Sequence, residues 1–273
     1  MAYRAEKTPR RRRWRRYVLL LSILCGAVYF AEMRYGFFRL RSLEVDNGNV
    51  IPDGVIWQAI PAGSGAFWPA LMLGRESFEK KIENFYPVSV TLKPIGWGRY
   101  KVELAPREVF LSVSWNSQLW WLSADGYMWR ADLPSMLSVN GMSRPNRPML
   151  SWDAKLPLPI DSEKFMGDIY PSSLPITKIK RWYDTIDRIS WRDDVYCLMA
   201  KKIEGRQVVQ VLLGTEKSIT GELILKDDAS DWLSLAAALK NIYPASSGRV
   251  PPGLVINATY TDMKFTVSDR RHM

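Results

Sequence analysis

The amino-acid sequence predicts an α+β protein: one N-terminal transmembrane helix, a small β-α-α-β-β module, and a larger β-rich domain with an antiparallel sheet and a few helices. Three observations lead there. Residues 18–31 are uncharged and follow a cluster of arginines. Beyond them, alternating apolar and polar segments flank two stretches with helical spacing. From Val109 onward most segments are strand-like and bounded by turn residues. A chain of 273 residues is long enough for two domains that each bury a core.

The N-terminal segment sets the topology. Residues 1–17 carry Arg4, Lys7, Arg10, Arg11, Arg12, Arg13, Arg15 and Arg16 against Glu6 alone, which locates most of the net charge of +10. The rest of the chain keeps 30 basic and 27 acidic side chains, too balanced for an extended cationic face, so no nucleic-acid partner is expected. Residues 18–38 would span about 30 Å as a helix, the thickness of a bilayer core. Trp14 and Tyr17 at one end, and Tyr35, Phe37 and Phe38 at the other, suit the two headgroup levels. Arginines on the N-terminal flank place that flank in the cytoplasm and the remaining chain outside, so the lipid bilayer is itself a partner. A cleaved signal peptide, with Cys25 and Ala27 near the cut, and a buried core helix are the competing readings. A lipoprotein signal is disfavoured by Leu24 immediately before Cys25.

The exported part begins with alternation through Leu43 and Val45, broken at residues 47–49. Pro52 and Asp53 open a first helix with Val55, Ile56, Ala59 and Ile60 on one side. Ser77, Phe78, Lys81, Ile82 and Phe85 mark a second, which Pro87 ends. Val88, Val90 and Leu92, then Tyr100, Val102 and Leu104, alternate around residues 96–98 as a hairpin. Residues 39–107 thus form the small module.

Residues 108–267 form the β-rich domain, leaving 268–273 as a tail. Strands are expected at 109–115, 119–122 and 127–129, with a turn at Asp125-Gly126. The proline-rich stretch 133–176 reads as irregular connections. A helix follows at 176–190, with Ile179, Trp182, Tyr183, Ile186 and Ile189 on one stripe. Strands 195–203 and 208–213 pair across Glu204-Gly205, and Gly214 closes that hairpin. Residues 231–242 form a helix capped by Ser230 or Asp231, with Trp232, Leu235, Leu239 and Ile242 facing inward. Strands at 254–260 and 263–267 complete the domain.

The inventory of reactive side chains argues against catalysis. The only histidine, His272, is one residue from the end, where a triad or a metal site would not be held. Two cysteines, Cys25 inside the apolar run and Cys197 far downstream, supply neither a zinc tetrahedron nor an expected disulfide. Gly63-Ser64-Gly65 lacks the lysine of a phosphate loop. Asp193-Asp194 and Asp227-Asp228 lie in polar stretches where paired carboxylates are normally solvated. One enzymatic alternative needs no histidine: a Ser-Lys dyad using Lys217-Ser218 or Lys226. No metal, cofactor, catalytic residue or small-molecule substrate is expected.

The basic tail, single span, β-α-α-β-β module and β-rich domain together resemble the FtsQ/DivIB bacterial cell-division family over essentially the whole chain. Leu43-Glu44-Val45 with Gly48-Asn49 looks like the opening strand and turn of that family's POTRA domain. Pro106-Arg107-Glu108-Val109 keeps only the arginine of its Glu-Arg-x-Pro motif, whereas Asp125-Gly126 matches the later turn. Val211-Leu212-Leu213-Gly214 resembles a strand ending in Leu-Gly, and Ile256 and Tyr260 keep the apolar and aromatic positions of the last strand without its charges.

The resemblance implies a non-enzymatic divisome scaffold at the septum of the cell inner membrane, engaging bitopic partners similar to FtsB and FtsL. A sheet whose last strand lies near the C-terminus offers unpaired backbone groups to a partner strand. The expected partner-binding residues are Leu254, Val255, Ile256, Asn257, Ala258, Thr259 and Tyr260, with Tyr260 as aromatic anchor. An export accessory that handles unfolded chains is the alternative from another class.

Overall fold

The computed structural model describes residues 10–46, 50–65, 67–133, 145–161, 167–244, 248, 250–260 and 265–269. They form a mixed α+β structure with an apolar N-terminal helix and a large sheet-rich region. The chain divides into two compact units. One holds residues 1–48, 53–82 and 90–104; the other holds 49–52, 83–89 and 105–273.

The first unit begins with helix α1 (Arg10–Tyr35), whose stretch Arg16–Tyr35 is long and apolar enough to cross a membrane and contains no buried residue. The helix stops before Gly36, three residues short of the expected end of the span. Strand β1 (Ser42–Asp46) follows, then helices α2 (Asp53–Ala59), α3 (Trp68–Leu73) and α4 (Arg75–Glu83), then strands β2 (Val88–Gly96) and β3 (Arg99–Pro106). The sheet order is β1-β3-β2, and β1 runs parallel to β3. A parallel pair needs a long crossover, which the helices supply.

Two expectations for this unit need correction. The short helix α3 was not foreseen, so the order is β-α-α-α-β-β. Its start is written in Pro69, whose fixed φ suits a first helical turn. Phe85, expected on the inner face of the second helix, lies beyond the end of α4 and is exposed. Phe78 and Ile82 are fully buried, as are Leu71, Leu92 and Val102. Glu79 locks α4 to the sheet: one carboxylate oxygen accepts from Arg75 Nε at 2.8 Å and from the Leu92 N–H at 2.9 Å.

The second unit is built on a ten-stranded sheet. Its strands are β4 (Val109–Trp115), β5 (Gln118–Ser123), β6 (Tyr127–Arg130), β7 (Met149–Trp152), β8 (Ile169–Pro171), β9 (Val195–Ile203), β10 (Arg206–Thr215), β11 (Ser218–Lys226), β12 (Leu254–Ala258) and β13 (Thr266–Asp269). They are ordered β13-β12-β11-β10-β9-β7-β4-β5-β6-β8. Most pairs are antiparallel, but β7 runs parallel to both β4 and β9, and β12 runs parallel to β11. Helices α5 (Ile176–Ile186) and α6 (Trp232–Ile242) complete the unit.

Trp182 of α5 and Trp232 of α6 stack with ring centroids 6.5 Å apart, in the same core as Leu198, Val209, Val211, Leu223 and Ile256. Both indoles are also satisfied: Trp182 Nε1–H donates to the Asp227 carbonyl at 2.6 Å and Trp232 Nε1–H to the Lys226 carbonyl at 2.8 Å. Apolar area and a paired N–H therefore act together at both positions.

Several expectations fail here for identifiable reasons. The stretch 133–176 contains strands β7 and β8; four and three residues long, they are too short to show periodicity against the surrounding prolines. Residues 134–144 and 162–166 lie outside the described residues. Strand β11 was not foreseen, although it follows β10 directly. Gly214 does not end the hairpin; it sits within β10 at a register shift, with φ +112°. A Cβ there would lie 2.3 Å from the Ser218 carbonyl oxygen, so only glycine lets the strand turn back. Asp231 precedes α6 without a capping bond; its carboxylate instead pairs with Lys226 Nζ at 2.8 Å. Ile242, expected inward, is half exposed as the last residue of α6.

Candidate functional site

The expected partner-binding segment falls mainly on β12. Leu254, Val255, Ile256, Asn257 and Ala258 form the strand; Thr259 and Tyr260 lie beyond it. Val255 and Ile256 point to opposite faces, as successive strand residues must, and both are buried. Both faces of the sheet are therefore covered at this strand. The strand ends at Ala258, and beyond it the Asn257 side-chain oxygen accepts from the Thr259 N–H at 3.1 Å and from its hydroxyl at 2.7 Å. This local turn competes with ladder bonding and stops it.

The edge itself lies elsewhere. β12 pairs on one side with β11, Glu222 opposite Val255 and Ile224 opposite Asn257. On its other side it pairs with β13, Leu254 opposite Asp269 and Asn257 opposite Thr266. Its backbone is used on both sides, which corrects the placement of unpaired groups on 254–260. Among the described residues, β13 pairs with β12 alone and forms one outer edge of the sheet. Thr266, Val267, Ser268 and Asp269 form it; the sequence places a strand at 263–267 but assigns none of these residues to partner binding. The signal was available: a second apolar-polar alternation at 265–269 follows the first closely enough to pair with it.

The opposite edge is blunted. β8 is three residues long, ends in Pro171, which has no N–H to offer, and is followed by a bridge between Ser172 and Ile160. β13 contains no proline, and Val267 on it is 46% exposed. Of the two edges, β13 is the one that, among the described residues, carries neither a proline nor a bridge at its end.

Tyr260 is 47% exposed, so it is not a core residue. With Phe265 and Ala258 it borders a cleft against Trp232, Leu235 and Ala238 of α6. The cleft measures about 30 Å³, room for one water or one methyl group and no larger ligand.

Lys217 and Ser218 lie exposed, and several of the other carboxylates and lysines considered for catalysis are engaged structurally. Lys178 Nζ donates to Asp227, and Lys226 is committed to Asp231. Asp228 accepts from the Ser230 N–H at 3.0 Å and its hydroxyl at 2.9 Å, and the backbone bond above all holds this carboxyl below the usual range. Asp193 sits exposed beside Arg192 in a 3₁₀ turn. A polar recess of about 850 Å³ collects Arg147, Arg192, Asp187, Asp193 and Glu216. Its mixed signs converge on no single charge.

Arg107 is the one deeply buried cation near a turn the sequence singled out. It binds Asp125 through Nη1 and lies 3.5 Å from Glu83. Its own N–H donates to the Pro87 carbonyl at 2.8 Å. The arginine thus fastens the Asp125-Gly126 turn to the start of β2. Its role is to hold the fold beside the sheet.

No protein-family model matches the chain, and no curated protein is similar to it in sequence.

Proposed function

We propose that this chain is a bitopic, non-enzymatic scaffold of the FtsQ/DivIB kind, held in the cell membrane by α1 with its N-terminus in the cytoplasm. On this reading residues 39–107 are a POTRA-type domain, and the β-rich domain recruits other division proteins at the septum. The observation that carries the reading is the outermost place of β13, among the described residues, in a ten-stranded sheet of a chain that also holds a membrane-length apolar helix. An extended segment of a small bitopic protein, similar to FtsB or FtsL, adds to that edge by backbone hydrogen bonds, and alternate side chains set its register. The arginine-rich flank of α1 supports the orientation.

Depleting the protein from growing cells tests the proposal. A division scaffold gives long undivided cells with segregated chromosomes. Cells that keep septating while exported cargo accumulates would instead indicate an export accessory and refute the scaffold.

A further inference from the structure

Three chain segments of the first unit meet at the C-terminal end of α1. They are the helix exit at Phe37 and Phe38, the turn leading into α3 at Phe67 and Trp68, and the β2–β3 hairpin tip at Trp97 and Gly98. Trp97 Nε1–H donates to the Phe37 carbonyl at 2.7 Å, and the two rings lie 4.4 Å apart. The Trp68 N–H donates to the Phe38 carbonyl at 2.7 Å, and the Phe38 and Phe67 rings are 5.5 Å apart. The Arg41 N–H donates to the Gly98 carbonyl at 2.8 Å. A Cβ on Gly98 would lie 2.7 Å from the Arg39 carbonyl oxygen, so the hairpin tip is pressed directly onto the chain leaving the helix.

This cluster remains wet on one side: Trp97 is 47% exposed, Phe67 46% and Phe37 38%. Grouped exposed aromatics of this size mark a contact surface. The patch is continuous with the bare apolar surface of α1. Phe67 and Phe38 line a groove of about 470 Å³ together with Leu24, Cys25, Val28, Tyr29 and Glu32 of that helix, the Glu32 carboxylate accepting from the Phe38 N–H at 2.6 Å. Val28 precedes Tyr35 by seven residues, roughly 10 Å of helix. Phe67 therefore sits below the level of the helix exit, at the depth where interfacial segments bury their apolar faces, ~5–10 Å into the boundary. Arg34, Arg39 and Arg41 flank the same exit in sequence, and Arg39 Nε lies 3.8 Å from Glu32.

We propose that this aromatic tip is a membrane-docking surface, with Phe37, Phe67 and Trp97 seated at the headgroup–acyl boundary of the leaflet into which α1 emerges. The occupant is phospholipid: the arginines meet phosphate, and the groove between Phe67 and α1 takes an acyl chain. The proposal rests on the reading of α1 as a membrane span. Docking seats the β2–β3 hairpin tip on the bilayer, and β3 leads away from that tip from Arg99 to Glu103.

Full-length protein in phosphatidylcholine–phosphatidylglycerol liposomes tests this with an environment-sensitive label at single cysteines. In a Cys25→Ser background, labels at Trp97→Cys and at Phe67→Cys are compared with one at Glu103→Cys, about 13 Å further along the strand. Shallow spin-labelled lipids are expected to quench positions 67 and 97 at least threefold more than position 103. Position 67 makes no side-chain hydrogen bond that its replacement would break, so it reports even if Trp97→Cys disturbs the tip. A label on Cys25 in otherwise native protein reports the span through deep spin-labelled lipids. Quenching at 25 with water-like behaviour at 67 and 97 overturns the docking and leaves the span. Loss of lipid quenching at 25, 67 and 97 together overturns both. Labels at 67 and 97 shielded from lipid and from aqueous iodide alike would mean a protein covers the tip, and would also overturn the proposal.

Discussion

The guanidinium carbon of Arg107 lies 3.8 Å from the centroid of the Tyr127 ring. Only 5% of the arginine side chain is exposed, so a full positive charge is kept from water between a ring face and the carboxylates of Glu83 and Asp125. Glu83 is the more buried of the two and Asp125 is half exposed, so the former is the stronger partner.

Arg107→Ala is expected to destabilise the second unit by about 3 kcal/mol, because it takes the buried cation away from Glu83 and Asp125 and empties the space above Tyr127. Arg107→Lys should recover little of this, since one ammonium cannot serve two carboxylates and lie flat on a ring. Asp125→Asn should cost about 1 kcal/mol or less. Urea unfolding of the detergent-solubilised protein, followed by near-ultraviolet circular dichroism, gives the ranking.

Trp232→Ala should cost about 3–5 kcal/mol, the range for removing a large buried aromatic. Trp232→Phe should cost less but still measurably, because the Lys226 carbonyl loses its donor and the stack on Trp182 shrinks. A thermal melt separates the two variants.

Gly214→Ala should destabilise by about 2 kcal/mol or more, since the added carbon meets the Ser218 carbonyl oxygen at 2.3 Å in a left-handed conformation. Gly205→Ala, at φ +81° with open space around its Cβ, should cost only about 1 kcal/mol. Equal losses in chemical denaturation would show that conformation alone, without the close approach, governs both sites.

Burial pushes the Cys197 thiol up to about 11. The folded state therefore prefers the neutral thiol, and its contribution is complete below the ordinary thiol pKa. Stability should fall as pH rises from about 9 to 11, by up to about 3 kcal/mol from this group. Cys197→Ala should flatten that part of the pH profile while lowering stability at neutral pH. Iodoacetamide should label Cys197 only after denaturation.

Val267→Lys on β13 should lower recovery of a bitopic partner at least tenfold while leaving the melting temperature within a few degrees, because a lysine on an exposed edge discourages strand addition. Tyr260→Glu, off the ladder, should have the smaller effect. A larger loss from Tyr260→Glu in a still-folded protein would transfer the interaction to the α6 side of the cleft.

What could be read from sequence followed the length and amphipathicity of each element. The stripe through Ile179, Trp182, Tyr183 and Ile186 named α5 and its inner face, and all four residues are buried. The Glu204-Gly205 turn named the β9–β10 hairpin, and both residues have positive φ, as its two-residue turn requires. Asn116-Ser117 makes the same kind of turn without glycine, φ 51° and 59°, and so carried no signal. Strand β7 takes its place in mid-sheet through parallel pairing to β4 and β9, a long-range relation that four residues cannot announce. The candidate site suffered from the same limit: alternation identifies a strand, but which strand is outermost depends on partners distant in sequence.

The blunting of β8 by Pro171 and the bridge to Ile160 sets the valency of the molecule. A sheet open at both ends could stack copy upon copy into a fibre; this one can be extended in a single direction. Among the described residues of this sheet, each chain can thus accept one added strand at β13, and a second copy that joined there would use that edge on both molecules. Assembly through this sheet is self-terminating, with a stoichiometry of one.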